Sequence, residues 1–250
     1  LELNQQKPYE NQSSLEQYLL FHYGSELDLM PFAFGPKGSL HFPVRCVTEC
    51  LGVKSFPLHA KALDLGCAVG RSTFELSCYC EKVTGIDISN SFIQAAKEIQ
   101  QKGLIQFSIL GEGTERLERV VRRPHDCHPE RIHFKCTDVM GIFLESDTYD
   151  IVLAANLICR LKEPLSFLNQ ISEKIVPGGQ LIITSPYSWL EEYTAVKDWP
   201  SNESKPITFL KESLGKNFEL KHVVDIPFVI REHYRKYQWG VSQASVWKRI

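Results

Sequence analysis

Asp64, Gly66, Gly70 and Asp87 are the residues whose types and spacing can do chemistry in this chain. Ala62 to Gly70 read Ala-Leu-Asp-Leu-Gly-Cys-Ala-Val-Gly, a short apolar strand running into a glycine-punctuated turn. A second strand ends in Gly85-Ile86-Asp87, which puts its acid 23 positions after Asp64. Glycine lets backbone approach a ligand closely, and an acid at the end of the second strand accepts hydrogen bonds from ribose hydroxyls. Strand, glycine-rich turn, helix and a strand ending in an acid make the nucleoside-binding half of a doubly wound α/β sheet.

The turn also excludes ligands. A dinucleotide fingerprint needs three glycines spaced G-x-G-x-x-G, so that pyrophosphate can sit at a helix N-terminus. The turn offers Gly66 and Gly70, and no lysine follows with the spacing of a triphosphate-binding loop. Asp64 would repel pyrophosphate but attract a cationic amine, such as the amino-acid tail of S-adenosylmethionine carries. The segment resembles motif I of class I S-adenosylmethionine-dependent methyltransferases, and Asp87 resembles their motif II acid. That resemblance implies a cofactor site containing Asp64, Gly66, Cys67, Ala68, Gly70, Asp87 and Ile88. The alternative is that the two glycines serve only a tight turn in another α/β protein.

Elements able to position these residues alternate along the chain as in a parallel sheet. Lys61–Leu65 reads as a first strand, Arg71–Cys80 as a helix and Lys82–Asp87 as a second strand. Ser89 caps a helix running to Gly103, with Phe92, Ile93, Ala96 and Ile99 at helical spacing. Ile132–Thr137 is a third strand ending at Asp138, and Tyr149–Ala155 a fourth. Pro164 opens a helix through Lys174, and Pro177-Gly178-Gly179 turns into a fifth strand, Gln180–Ser185. Ile207–Leu214 reads as helical, and Glu219–Ile226 and Ala244–Lys248 as extended. The expected fold is α/β, a Rossmann-like, mostly parallel seven-stranded sheet of the class I methyltransferase kind, whose last strand is antiparallel and slots between its neighbours.

Two additions surround that frame. Residues 1–59 read as an N-terminal helical extension, with a helix near Leu15–Tyr23, packing on the active site of a methyltransferase domain that spans 60–250. Leu104–Glu130 is inserted before the third strand, and its Gly111-Glu112-Gly113 reads either as a turn lining the pocket or as a plain surface turn. Trp199–Pro206 has loop composition and is too short for a domain linker. The chain does not begin with Met, which reads as an excised segment or a trimmed chain.

Composition narrows the partners. With 43% hydrophobic residues over 250 positions the chain can bury one large core, so a single domain suffices. A net charge of −2 and no basic run longer than two residues leave no electrostatic footprint for nucleic acid. No apolar stretch is long enough to span a bilayer, and the amino end lacks the pattern of a signal peptide, so a soluble, cytoplasmic protein is expected. The eight cysteines form no C-x-x-C pair and read as reduced core residues. His125-Asp126-Cys127-His128 has metal-ligating types, but adjacent side chains on one loop rarely converge tetrahedrally, and no metal site is expected.

A sulfonium already carries a good leaving group, so catalysis there is mainly positioning of a nucleophile in line with it. Asp138 is placed to accept from the adenine amino group and the Val139 amide to donate to a ring nitrogen, with a helix cap as the alternative for Asp138. Asn156 ends the fourth strand where the methyl should emerge, with a buried structural amide as its alternative.

The flanking segments carry a narrower likeness. Tyr18–Gly24, Phe34-Gly35-Pro36, Phe42–Cys46, Pro186–Tyr193, Phe228–Glu232 and Gln238–Ala244 resemble the carboxy-terminal methyltransferase domain of ovothiol biosynthesis enzymes, 4-mercaptohistidine N1-methyltransferases. The likeness runs from Tyr18 to Trp247. It implies methyl transfer to the π nitrogen of 5-thiohistidine, giving ovothiol A, by a domain that usually follows an iron-dependent sulfoxide synthase. A free-standing relative would act on histidine, histamine or another thiolated or selenated imidazole, and a non-catalytic scaffold that kept the cofactor pocket is the reading from a different class. A zwitterionic imidazole wants a cation for its carboxylate, from Arg45 or Arg231, and an acceptor for its ammonium, from Glu191 or Glu232. It also wants amide or phenol groups around its ring, from Asn156, Tyr18, Tyr23 or Tyr187. Arg45 has the cofactor carboxylate or a surface ion pair as alternatives, and Tyr18 and Tyr23 ordinary aromatic packing. His22 and His41 have the right chemistry for general bases, but an imidazole with a bare nitrogen needs none.

Overall fold

Apolar runs bounded by glycine or proline become strands buried on both faces, as the centre of a parallel sheet requires. The computed structural model describes residues 10–52, 59–200 and 205–250, so part of the expected Trp199–Pro206 loop lies outside it. In chain order the elements are α1 (Gln12–Tyr23), α2 (Glu26–Leu29), α3 (Phe42–Thr48), β1 (Lys61–Leu65), α4 (Arg71–Leu76), β2 (Lys82–Asp87) and α5 (Asn90–Lys102). They continue with β3 (Leu104–Leu110), β4 (Arg116–Arg122), β5 (Ile132–Cys136), β6 (Tyr149–Ala155), α6 (Pro164–Gln170), β7 (Ile175–Ser185), α7 (Pro206–Leu214), β8 (Phe218–His233) and β9 (Lys236–Arg249).

Seven strands form one sheet in the order β5-β2-β1-β6-β7-β9-β8. The first five are mutually parallel, and β9 runs antiparallel between β7 and β8, as expected. One core lies between the sheet and α1, α3, α4 and α5, with Phe74, Ile93 and Ile99 fully buried. The other lies under α6 and α7, around Phe167, Leu210 and Trp247.

Several boundaries differ from expectation. The helix expected over Arg71–Cys80 ends at Leu76, where the Ser77 hydroxyl takes the Phe74 carbonyl at 2.6 Å and the chain tightens into turns. The helix from Pro164 gives way to a 3-10 turn at Ile171–Lys174. Pro177-Gly178-Gly179 lies inside β7 as an irregularity in its pairing with β6.

The insertion is an antiparallel hairpin, β3 with β4, in register from Leu104↔Arg122 to Leu110↔Arg116. The final two strands are far longer than expected. Pairing of β7 with β9 stops at Ser185↔Gln243, whereas β8 and β9 stay paired on to His233↔Lys236. Their hairpin therefore runs on past the carboxyl ends of the parallel strands, where its tip meets the insertion through an Arg235–Glu112 ion pair.

Candidate active site

Two turns at the carboxyl edge of the sheet are joined before any ligand enters. Gly66 and Gly70 adopt φ of 70° and 86°, left-handed values that favour glycine, and Ala68 between them is held at φ 47°. Asp87 does part of the holding. Its Oδ2 accepts from the Ala68 N–H at 2.9 Å and its Oδ1 from the Ser89 N–H at 2.8 Å. Burial raises the Asp87 pKa, with these backbone donors opposing the rise. A carboxylate has about four lone-pair sites, so capacity for a ribose hydroxyl remains. Ile88 beside it is 49% exposed, an aliphatic surface at the edge of the crevice.

Asp64 lies under the turn and is buried. Its Oδ2 accepts from the hydroxyls of Ser72 and Thr73 at 2.8 and 2.7 Å. Oδ1 is buried without a partner, one of two such side-chain atoms among the described residues. Burial first, opposed by the two hydroxyls and reinforced by the charge of Asp87, pushes the carboxyl up to about 6. An orphan carboxylate oxygen beside a glycine turn calls for a donor from a ligand, and a primary ammonium is such a donor. The site thus fits the amino-acid tail of S-adenosylmethionine. Asp64 would hold that ammonium, Asp87 the ribose, and Ile88 would pack on the base.

Asp138 has the helix-cap role given as its alternative. It is exposed, and its Oδ1 caps the 3-10 turn Val139–Leu144 by accepting from the Met140 N–H at 2.8 Å, while Val139 turns into the core. Cys67 is buried with its thiol on the Ala68 carbonyl.

Across the crevice, β6 ends in Asn156, at φ 53°. A Cβ at Gly66 would lie 3.0 Å from Leu157 Cδ1, so the turn after β6 lies against the glycine turn. Tyr187, following β7, is also left-handed at φ 52°. Of the four non-glycine residues with positive φ among those described, Ala68, Asn156 and Tyr187 follow three adjacent strands at one sheet edge, and His41 caps α3 elsewhere. Each such conformation costs on the order of 1 kcal/mol and concentrates where ligands bind. The Tyr187 hydroxyl donates to Gln243 Oε1 at 3.2 Å, and burial, with lesser contributions from Asp225 and Cys159, pushes its pKa up to about 12.

The N-terminal extension reaches the same turn. Asn11 caps α1 by accepting from the Ser14 N–H, and Gly24 ends the helix. Tyr23 donates its hydroxyl to the Val69 carbonyl at 2.7 Å, and the Arg71 N–H approaches His22 Nδ1 at 3.4 Å. Burial and the Arg71 guanidinium lower the His22 pKa to about 3, so its ring is neutral. Tyr18 packs on Phe92 of α5 at 4.8 Å between centroids. Glu10, which the sequence did not single out, accepts from the Asn90 N–H at 2.7 Å at the start of α5.

The remaining candidates are drawn elsewhere. Arg45 pairs with Glu49 and donates Nη1 to the carbonyls of Gly38 and Pro227, which leaves Nη2 without a partner among the described residues. Arg231 is 4% exposed and donates to the carbonyls of Asp28 and Leu110, stitching α2 and β3 to β8. Glu232 is taken by Lys236 and Gln238. Glu191 is exposed in a turn after β7. Among the described residues no group of histidine, cysteine or acidic side chains could hold a metal ion, and His125 and Asp126 are almost fully exposed.

Residues 63–183 match the family model described as a methyltransferase domain. The match runs from β1 into β7. A nicotianamine synthase from Hordeum vulgare is 27% identical over 99 residues, covering 39% of this chain and 29% of the relative. An O-methyltransferase, cnsE from Penicillium expansum, is 24% identical over 139 residues, covering 55% of this chain and 42% of the relative. The chain therefore spans less than half the length of both curated relatives. The N-methyltransferase NodS from Bradyrhizobium japonicum, solved with S-adenosyl-L-homocysteine, superposes with a TM-score of 0.54 at 15% identity, over 96% of this chain and 99% of that one. The fold is thus shared over 96% of the chain, and no helix among the described residues is long and apolar enough to cross a membrane.

Proposed function

We propose that the chain methylates a ring nitrogen of a small imidazole amino acid, 5-thiohistidine, to give ovothiol A. The observation that carries this reading is that Ala68, Asn156 and Tyr187, all left-handed, follow three adjacent strands at the sheet edge where Asp64 keeps an orphan oxygen. When bound, the cofactor supplies an electrophilic methyl on sulfur. An acceptor nitrogen with its own lone pair needs orientation and a dry site there rather than proton abstraction. The residues at this edge suit that task. His22 is neutral with its Nδ1 facing the Arg71 N–H, and Tyr187 holds its proton to about 12.

Asn156 and Tyr187 flank the ring in this reading, and Arg45 Nη2, which has no partner among the described residues, is a donor for a carboxylate, of the substrate or of the cofactor. Tyr23 and Tyr18 act indirectly, through the glycine turn and α5. The choice of 5-thiohistidine among imidazoles rests on the resemblance of the flanking segments. Mass spectrometry of the purified chain with isotopically labelled cofactor and a panel of histidine, 5-thiohistidine, histamine and a histidine peptide tests it. The largest label transfer should go to 5-thiohistidine, and preference for the peptide would overturn the substrate class.

A further inference from the structure

The hydroxyls of Ser242 and Thr184 both donate to Asn156 Oδ1, at 2.7 and 3.1 Å, and both residues are fully buried. A carboxamide oxygen has two lone pairs, and these bonds use both. The group is planar, so an oxygen held on that side turns the NH2 to the other. Asn156 Nδ2 donates to nothing among the described residues, and it is not one of their sealed, partnerless atoms. The backbone is held as well, because the Asn156 N–H donates to the Thr184 carbonyl at 2.9 Å. Flipping the amide would make both hydroxyls accept from the NH2 instead, and would strip two buried hydroxyl protons of the acceptor they have here.

We infer that Ser242 is a positioning residue that locks Asn156 as a hydrogen-bond donor, and that the methyl acceptor meets it with an unprotonated, lone-pair-bearing atom beside its nucleophile. This rests on the reading that Asn156 faces the acceptor. It selects a chemical class: a neutral or anionic heteroaromatic, a thiolate or a carboxylate at that position is received, and an imidazolium or amide N–H is turned away.

The sharpest test is the sign of two substitutions at one position. Asn156→Asp keeps the shape but presents an anion where the NH2 stood, so its turnover should fall about tenfold below that of Asn156→Ala. Ser242→Ala should lower kcat about three- to tenfold with KM for the cofactor unchanged, and should cost nothing further in an Asn156→Ala background. Turnover of Asn156→Asp equal to wild type, or additive losses from Ser242→Ala and Asn156→Ala, would overturn the inference. A second readout does not need the acceptor. In 15N spectra of the whole chain, Ser242→Ala should shift the Asn156 side-chain NH2 pair, and unchanged resonances overturn the lock. If wild type methylates none of the panel, the acceptor reading fails while the spectra still decide the lock.

Discussion

Lowering the pH from 7 to 5 should weaken S-adenosylhomocysteine binding about tenfold, and Asp64→Asn should abolish that dependence. The reasoning starts from the buried carboxyl of Asp64, which titrates at about 6 because burial outweighs the Ser72 and Thr73 hydroxyls. A ligand ammonium on the orphan Oδ1 favours the ionised form and draws that pKa back down. Between pH 7 and 5 the ionised fraction of the free protein falls from roughly nine-tenths to roughly one-tenth, which gives the tenfold loss by linkage. The ligand's own amine, with a pKa of about 8, stays protonated throughout, and His22, at about 3, does not titrate in this window. The ligand-free fold shows the converse. A raised acid contributes stability that is fully present below about pH 4 and is lost as pH rises through about 6. Isothermal titration at both pH values, on wild type and Asp64→Asn, is the assay. Equal affinity at pH 5 and 7 for wild type, or the same slope in Asp64→Asn, would refute an ammonium on Asp64 Oδ1.

Other sites give independent expectations. Asp87→Ala should weaken S-adenosylhomocysteine by about 1–3 kcal/mol in calorimetry, since charge-assisted ribose bonds and the tether to Ala68 are both lost, and unchanged affinity removes Asp87 from the site. Asn156→Ala should depress turnover while leaving cofactor affinity within about twofold, the signature of a group acting on the acceptor. Tyr23→Phe leaves the Val69 carbonyl without its donor and should cost about 1 kcal/mol in thermal unfolding. Gly70→Ala forces a left-handed alanine at φ 86° whose Cβ would lie 2.7 Å from Phe134, so about 2–4 kcal/mol of destabilisation should appear in denaturant melts.

The parallel half of the sheet was legible because its strands are apolar runs closed by glycine, proline or an acid, and β1, β2, β5 and β6 fall within a residue or so of where those runs put them. The long β8–β9 hairpin was not, because Tyr234 and Arg235 at its tip carry no turn chemistry. The insertion did carry a signal: Ile105, Phe107 and Ile109 alternate with polar residues, and the Gly111-Glu112-Gly113 turn joins two such runs. At the site, Asp64, Asp87 and Asn156 stood out as polar residues interrupting or ending apolar strands. Ser242 and Thr184 did not, since small hydroxyls in a strand look the same whether they hold an amide or fill space. Arg231 reads as a ligand group because a sequence cannot show which carbonyls a guanidinium will meet after folding.

The bond from Ala68 to Asp87 fixes the distance between two loops that arrive from different parts of the chain. A nucleoside entering this crevice finds the spacing between its sugar and its amino-acid arm already set, so little loop entropy has to be surrendered on docking. Selection by this crevice against nucleosides with a shorter or longer arm would then be strict at that end.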